Sequence, residues 1–217
     1  QEAYNSIKQA FENKSVTLLQ GVTSSGKTEI YIHLIKECIE QGKQVLYMLP
    51  EIALTTQITT RLHKYFGSSL GIYHSKFNDS ERVEVWNKLL STDDYKVILG
   101  VRSSVLLPFR NIGLIIVDEE HESSYKQYDP APRYNARDMA IVLAGIHGAK
   151  VLLGSATPSL ETYQNATEGK YGYVQLLQRY AGIAMPEVLP IDMLDARKKR
   201  KMVSLFSFEL KEAIDNA

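Results

Sequence analysis

Gly21-Val22-Thr23-Ser24-Ser25-Gly26-Lys27-Thr28 is the stretch on which the fold turns. A short apolar run, residues 16–19, leads into it. A segment with helical spacing, residues 27–41, comes next, with Ile30, Leu34, Ile35 and Ile39 at the apolar positions. The octapeptide fits G-x-x-x-x-G-K-[ST], and phosphate chemistry explains the spacing. Glycines let the backbone curl so that its N–H groups face phosphate oxygens. The helix after the loop puts its positive end at the same point. Lys27 is placed to reach the β and γ phosphates of ATP, and the Thr28 hydroxyl to ligate Mg²⁺, a hard cation that prefers oxygen. The bland alternative is a chance Gly-rich turn. Average residue usage puts such a match on the order of one in a hundred for a chain this long, and the strand–loop–helix context lowers it further.

Outward from the loop, strand-like and helix-like stretches alternate. Runs at 44–49, 71–73, 96–100, 114–117 and 151–154 are short and apolar, as suits strands buried on both faces of a parallel sheet. Amphipathic stretches at 54–66, 80–90 and 136–146 lie between them, with Ser80 as the expected cap of the second. The alternation predicts βαβ units: an α/β fold with a central parallel sheet and helices on both faces. Beyond Tyr171 the pattern changes. Residues 173–177 and 188–191 read as short strands, 197–201 as a basic, solvated run, and 207–214 as the start of a helix. These features predict a lobe over 1–185 and a connector over 186–217.

Composition narrows the function classes. With 25 basic and 25 acidic residues in 217, bulk charge does not mark a nucleic-acid binder, so any such surface must be local. One cysteine, Cys38, makes neither an internal disulfide nor a zinc site of several thiolates. The longest apolar run, 139–146, falls far short of the roughly 20 residues that cross a bilayer. No signal peptide opens the chain, so no membrane partner is expected. Beginning at Gln1 and ending at Ala217 without an evident cap, the sequence reads as part of a longer protein.

The run at 114–117 leads straight into Asp118-Glu119-Glu120-His121. A buried strand that ends in carboxylates suits a magnesium-dependent nucleotide hydrolase. Asp118 is expected to hold the metal through its water shell, and Glu119 to orient and deprotonate the attacking water. His121 is read as a site residue, either a base or a coupling hydrogen bond to another segment. A solvated acidic turn is the alternative, and the phosphate loop argues against it.

Taken together, these motifs resemble the superfamily-two helicases. Residues 21–28 are similar to their motif I, 49–55 (Leu-Pro-Glu-Ile-Ala-Leu-Thr) to motif Ia, 118–121 to motif II and Ser155-Ala156-Thr157-Pro158 to motif III. Several longer stretches are similar, more narrowly, to bacterial primosomal replication-restart helicases, the PriA type. They are 21–31, 50–55, His74-Ser75, 78–82, 100–104, 118–127, 133–138 and 154–162. The resemblance runs from about residue 5 to about 195. It implies a RecA-like P-loop NTPase lobe, the first of two motor lobes. The activity implied is that of a DNA-dependent ATPase and 3′-to-5′ helicase that unwinds the lagging arm at stalled forks. Implied partners are single-stranded and forked DNA, primosome proteins and the machinery that loads the replicative helicase, in the bacterial cytoplasm at the nucleoid. The family's upstream DNA-binding region is not in this chain. Nor is its second lobe, with arginine fingers and a zinc insertion, so zinc is expected only there. The glutamine motif that touches adenine in such motors would fall at or just before Gln1.

DNA contacts are expected at three places. Residues 122–137 mix Tyr125, Tyr128 and Tyr134 with Lys126, Arg133 and Arg137, and resemble the aromatic-rich loop of related helicases. Aromatics there stack on bases and cations meet phosphates; the alternative is a partly buried loop whose tyrosines pack against the lobe. Arg102 and Ser103 resemble the segment that grips the DNA backbone, and Thr55 follows motif Ia at a helix start. Ser155 and Thr157 are expected to link the γ-phosphate state to these contacts. Without a second lobe to insert arginine, the segment is expected to bind ATP·Mg²⁺ but to turn over very slowly. The rival reading is a P-loop switch ATPase that regulates protein partners without translocating on DNA.

Overall fold

Among the described residues, seven apolar runs form one parallel sheet: β1 (Val16–Gly21), β2 (Gln44–Met48), β3 (Leu70–Tyr73), β4 (Val97–Gly100), β5 (Ile112–Asp118), β6 (Lys150–Ser155) and β7 (Gly172–Leu176). Their spatial order is β3-β4-β2-β5-β6-β1-β7. The computed structural model describes residues 2–23, 25–74, 77–92, 94–177 and 188–216. The chain divides into two units, 1–182 and 183–217.

The central strands are buried on both faces, and alternate residues serve different layers. Leu114 and Ile116 of β5 pack with α1 (Glu2–Asn13), α2 (Lys27–Glu40) and α3 (Thr56–Phe66) through Ile7, Ile35 and Leu62. Ile115 and Val117 face the other way, toward α4 (Asp79–Ser91), α5 (Ala136–His147) and α6 (Leu160–Thr167) through Leu89, Ala140 and Ala166. Each such leucine, isoleucine or valine, removed from water, contributes roughly 1.5–3 kcal/mol before chain entropy is counted, and each alanine methyl less than about 1 kcal/mol. This doubly covered sheet explains why the strands read as unbroken apolar runs rather than alternating ones.

Strand order positions the site. β5, β6 and β1 are neighbours, and Asp118 pairs in register with Gly154, as Gly154 does with Leu19. The carboxyl ends of these strands therefore lie side by side, at the sheet spacing of roughly 4.8 Å. Crossover connections leave ligand clefts at this edge of open α/β sheets.

Several local expectations are corrected. The helix expected at 80–90 starts at Asp79, and its cap is Asn78 rather than Ser80. Asn78 Oδ1 accepts from Glu81 N while Glu81 Oε2 accepts from Asn78 N, a reciprocal capping box. Neither α1 nor α6 is among the expected elements: α6 is short, with only Thr162 and Ala166 buried, whereas α1 does carry a helical spacing, with Ala3, Tyr4, Ile7 and Phe11 on the face that meets the core.

The second unit contains α7 (Met193–Lys198), a two-stranded hairpin of β8 (Met202–Val203) and β9 (Phe206–Ser207), and α8 (Phe208–Asp215) capped by Ser207. Residues 188–191 are not a strand. The basic run begins inside α7, where Arg197 and Lys198 occupy the last turn, and cations there complement the helix dipole.

Asn78→Ala removes one half of the capping box and leaves an α4 N–H without its acceptor. It should lower unfolding free energy by about 1 kcal/mol in urea titration. An unchanged midpoint would show that water replaces the cap.

Candidate functional site

β1 delivers the chain to the phosphate loop, and two glycines shape the turn from it into α2. Gly26 has φ 90°, a left-handed conformation at the N-terminus of α2 that a side chain would strain. Among the described residues no side chain caps this helix end, which leaves its leading N–H groups suited to an anion. At Gly21, a Cβ would stand 2.9 Å from Ser25 Oγ and 3.1 Å from the Lys27 stem. The bare glycine lets Lys27 fold back, and Lys27 Nζ donates to the Gly21 carbonyl at 2.8 Å. Ser25 Oγ is buried with no hydrogen-bond partner among the described residues. Val22 N is tied to Leu176 O of β7 at 3.2 Å; Thr23 is exposed, and Thr28 lies in the first turn of α2. Ser24 lies outside the described residues.

Across this loop stands the acidic strand end. Asp118 Oδ1 accepts from Tyr31 Oη at 3.0 Å and from Glu119 N at 3.1 Å; Oδ2 accepts from Tyr47 Oη at 3.2 Å. Burial, then the neighbouring Glu119 charge, pushes the Asp118 carboxyl up to about 6. The charge that burial disfavours on Asp118 would be offset by a neighbouring cation, and the Ser25 hydroxyl, unpartnered among the described residues, and the helix end are fit for phosphate. Glu119 sits at φ 47°, a left-handed conformation held by its own N–H bond to Asp118 and by Glu122 N donating to its carbonyl at 2.9 Å. That bend carries its Oε1 to 3.8 Å from Lys27 Nζ, so Lys27 and Glu119 face each other across the two motifs.

The next two residues bind motif II to other elements. Glu120 is buried, and its carboxylate accepts from Ser159 N at 2.7 Å, Ser159 Oγ at 3.1 Å, Thr162 Oγ1 at 2.9 Å and Arg137 Nη1 at 3.1 Å. A buried charge is tolerable when its lone pairs are matched this fully. His121 Nδ1 bonds Ser155 Oγ at 2.8 Å, and Nε2 lies 3.5 Å from Thr157 Oγ1. Thr157 N in turn donates to Ser155 Oγ at 3.0 Å. Motifs II and III are thus joined through His121.

The expected DNA contacts divide. Tyr125 is corrected: it is 1% exposed, and its hydroxyl donates to the Asp118 carbonyl at 2.7 Å, so neither ring face can meet a base. Tyr128 is 68% exposed, on a hairpin closed by the Lys126–Asn135 bridge. Arg133 is exposed, while Lys126 Nζ donates to Arg133 O at 3.2 Å. Arg102 Nη1 donates to the Ser124 and Lys126 carbonyls, at 3.3 and 3.1 Å, tying the loop to the turn after β4. Ser103 is half-buried in that turn, and Thr55 is exposed as the cap of α3.

Sequence reading missed Tyr31, Tyr47 and Glu120. The signal for the first two was a tyrosine inside a fully buried segment, where its hydroxyl needs a partner. Beside Gly26, a cleft of about 890 Å³ runs between the start of α1 and β7, lined by Tyr4, Ser25, His33 and Gln175 among others. No helix among the described residues is long and apolar enough to cross a membrane.

Comparison with known proteins places this site in context. The DEAD/DEAH box helicase family matches residues 1–166. Replication restart protein PriA of Rickettsia felis is 46% identical over 207 residues, covering 94% of this chain and 32% of that protein. PriA of Bacillus subtilis is 40% identical over 215 residues, covering 98% and 26%. The chain thus spans about a third or less of these relatives' length. Among solved structures, RecG bound to a three-way DNA junction aligns over 85% of this chain and 24% of its own, with TM-score 0.58 and 22% identity. The Hef helicase domain of Pyrococcus furiosus aligns over 82% and 38%, with TM-score 0.59 and 16% identity. These likenesses establish the fold as a RecA-like helicase lobe.

The raised Asp118 carboxyl sets a pH dependence. Its value of about 6 in the folded chain lies above the ordinary 3.8, so between these the folded chain binds the proton more readily. The ionised group opposes folding above pH 6, and the opposition fades as pH falls toward 4. In metal-free buffer, Asp118→Asn should stabilise the chain by up to about 3 kcal/mol near neutral pH, and by less than half of that at about pH 4.5. Urea unfolding at both pH values checks this; a gain independent of pH would contradict it.

Proposed function

The chain belongs to the DEAD/DEAH box helicase family, and on that premise we propose that it is the ATP-binding first motor lobe of a 3′-to-5′ DNA helicase. The parent protein would act at stalled or forked DNA in replication restart, with single-stranded and forked DNA, primosome proteins and the replicative-helicase loading machinery as partners. Its place would be the bacterial cytoplasm, at the nucleoid. The similarity to replication restart protein PriA supports the process. The observation that carries the chemistry is the meeting of Lys27 and Glu119, 3.8 Å apart, beside Asp118 at adjoining strand ends.

In this reading the loop 21–28 cradles the phosphates, with the α2 N–H groups and Ser25 as donors. Lys27 leaves the Gly21 carbonyl for the β and γ phosphates. Thr28 and Asp118 would hold Mg²⁺, which would supply positive charge to offset that of the phosphate oxygens. Glu119, released by Lys27, orients a water and takes its proton as the water oxygen bonds to the γ phosphorus and the bond to the ADP oxygen breaks. His121, through Ser155 and Thr157, carries the state of that site toward motif III. The cleft beside Gly26 takes the base and sugar. Tyr128, Lys126, Arg133, Arg102, Ser103 and Thr55 lie on segments that come after β2, β4 and β5 at the same edge of the sheet and form the DNA side. Residues 186–217 serve as the connector toward a second lobe, which must supply arginine to the transition state.

A switch ATPase without translocation draws some support from the burial of Tyr125, which removes one aromatic from the DNA side. DNA stimulation separates the two readings. In the parent protein, forked DNA should raise ATP hydrolysis at least tenfold, and Glu119→Gln should lower kcat by about two orders of magnitude or more while nucleotide binding persists. Hydrolysis indifferent to DNA would select the switch. Chain 1–217 alone should bind ATP·Mg²⁺ and hydrolyse it hardly at all; turnover matching the parent would overturn the need for a second lobe.

A further inference from the structure

Two tyrosines reach the Asp118 carboxylate from different elements. Tyr31 lies on α2, one turn after Lys27 and Thr28, and Tyr47 lies on β2. Both are fully buried, and their rings meet edge to face with centroids 5.6 Å apart. One hydroxyl serves each carboxylate oxygen, Tyr31 at Oδ1 and Tyr47 at Oδ2. The sheet makes room for this. Gly154 pairs in register with Asp118, and a Cβ there would fall 1.9 Å from Tyr31 Oη.

Packing alone does not call for this arrangement. Phenylalanine fills the same volume without burying a hydroxyl, and a buried hydroxyl is unfavourable unless it is bonded. Burial holds both phenols protonated, with pKa values well above the ordinary 10, so each remains a donor. With Glu119 N also on Oδ1, the carboxylate is fixed by three donors, and its remaining lone pairs meet no other protein donor among the described residues.

We propose that Tyr31 and Tyr47 are positioning residues for the divalent cation of the nucleotide site. They lock the orientation of the Asp118 carboxylate, and Tyr31 ties it to the same helix that carries Lys27 and Thr28. Outer partners of metal-ligating carboxylates act in this way, and losing one costs about tenfold or more in metal affinity. The inference rests on the ATP·Mg²⁺ reading of the site.

The test is binding of a fluorescent ADP analogue to the parent protein across a Mg²⁺ series and in EDTA, for wild type, Tyr31→Phe, Tyr47→Phe and Asp118→Asn. Tyr31→Phe should raise the Mg²⁺ concentration for half-maximal effect about tenfold, with metal-free nucleotide affinity unchanged. Tyr47→Phe should give a smaller rise, since its bond is longer. Manganese binding followed by electron paramagnetic resonance should weaken in parallel. If Tyr31→Phe does not fold, Tyr47→Phe decides by the same readout. Unchanged Mg²⁺ dependence in the phenylalanine variants, with Asp118→Asn impaired, would overturn the inference and leave the tyrosines as packing, whatever their effect on melting. Binding indifferent to Mg²⁺ in wild type and Asp118→Asn alike would instead overturn the ATP·Mg²⁺ reading, and the inference with it.

Discussion

A carboxylate held at the end of a doubly buried strand is the constraint on which the rest of the lobe depends. β5 is apolar along Leu114, Ile115, Ile116 and Val117, and all four are buried. It ends in Asp118, whose charge the surroundings disfavour. Such a group must be met by donors, and they come from α2, β2 and its own next peptide. The Asp118 carbonyl is claimed as well, by the buried Tyr125. An acidic residue that belongs to no apolar core thus becomes the point where the phosphate-loop helix, two strands and the loop after β5 are fastened together.

The residues after Asp118 extend the same logic, each in a different direction. Glu119 turns toward Lys27 through a left-handed backbone. Glu120 turns inward, where Arg137, Ser159 and Thr162 satisfy it. His121 reaches Ser155 and Thr157. Three consecutive side chains therefore contact α2, α5, α6 and the end of β6. Because Lys27 rests on the Gly21 carbonyl and close to Glu119, a phosphate bound as proposed would compete with bonds inside the site itself. In that proposal a change at the loop would be passed on by exchange of partners rather than by deformation of the packed sheet.

Much of this was legible in the sequence because its physics is local. The phosphate loop announces itself through glycine spacing, the strands through unbroken apolar runs, and the acidic end through its place after one of them. What the sequence hid depends on long-range packing. Tyr125 looked like a stacking residue because it sits among arginines and lysines, yet a 3-10 turn at Ser123–Tyr125 swings it beneath motif II. Tyr31 and Tyr47 are 16 positions apart and meet only because α2 packs on β2 beside β5. Glu120 looked like one more exposed acid in a run; its donors lie 17 to 42 residues further on. Ser80 and Asn78 are equally good caps by residue type, and the reciprocal bond with Glu81 decides between them.

The measurement that bears most directly on the account is a crystal structure of the lobe with Mg²⁺·ADP and a beryllium fluoride mimic of the γ phosphate. The expected result is nucleotide phosphates on residues 21–28 and Lys27 Nζ withdrawn from the Gly21 carbonyl onto the mimic. The metal should lie beside Thr28 and Asp118, with both tyrosine hydroxyls still on that carboxylate. Nucleotide bound elsewhere, or Lys27 still resting on Gly21 beside an occupied loop, would contradict the account.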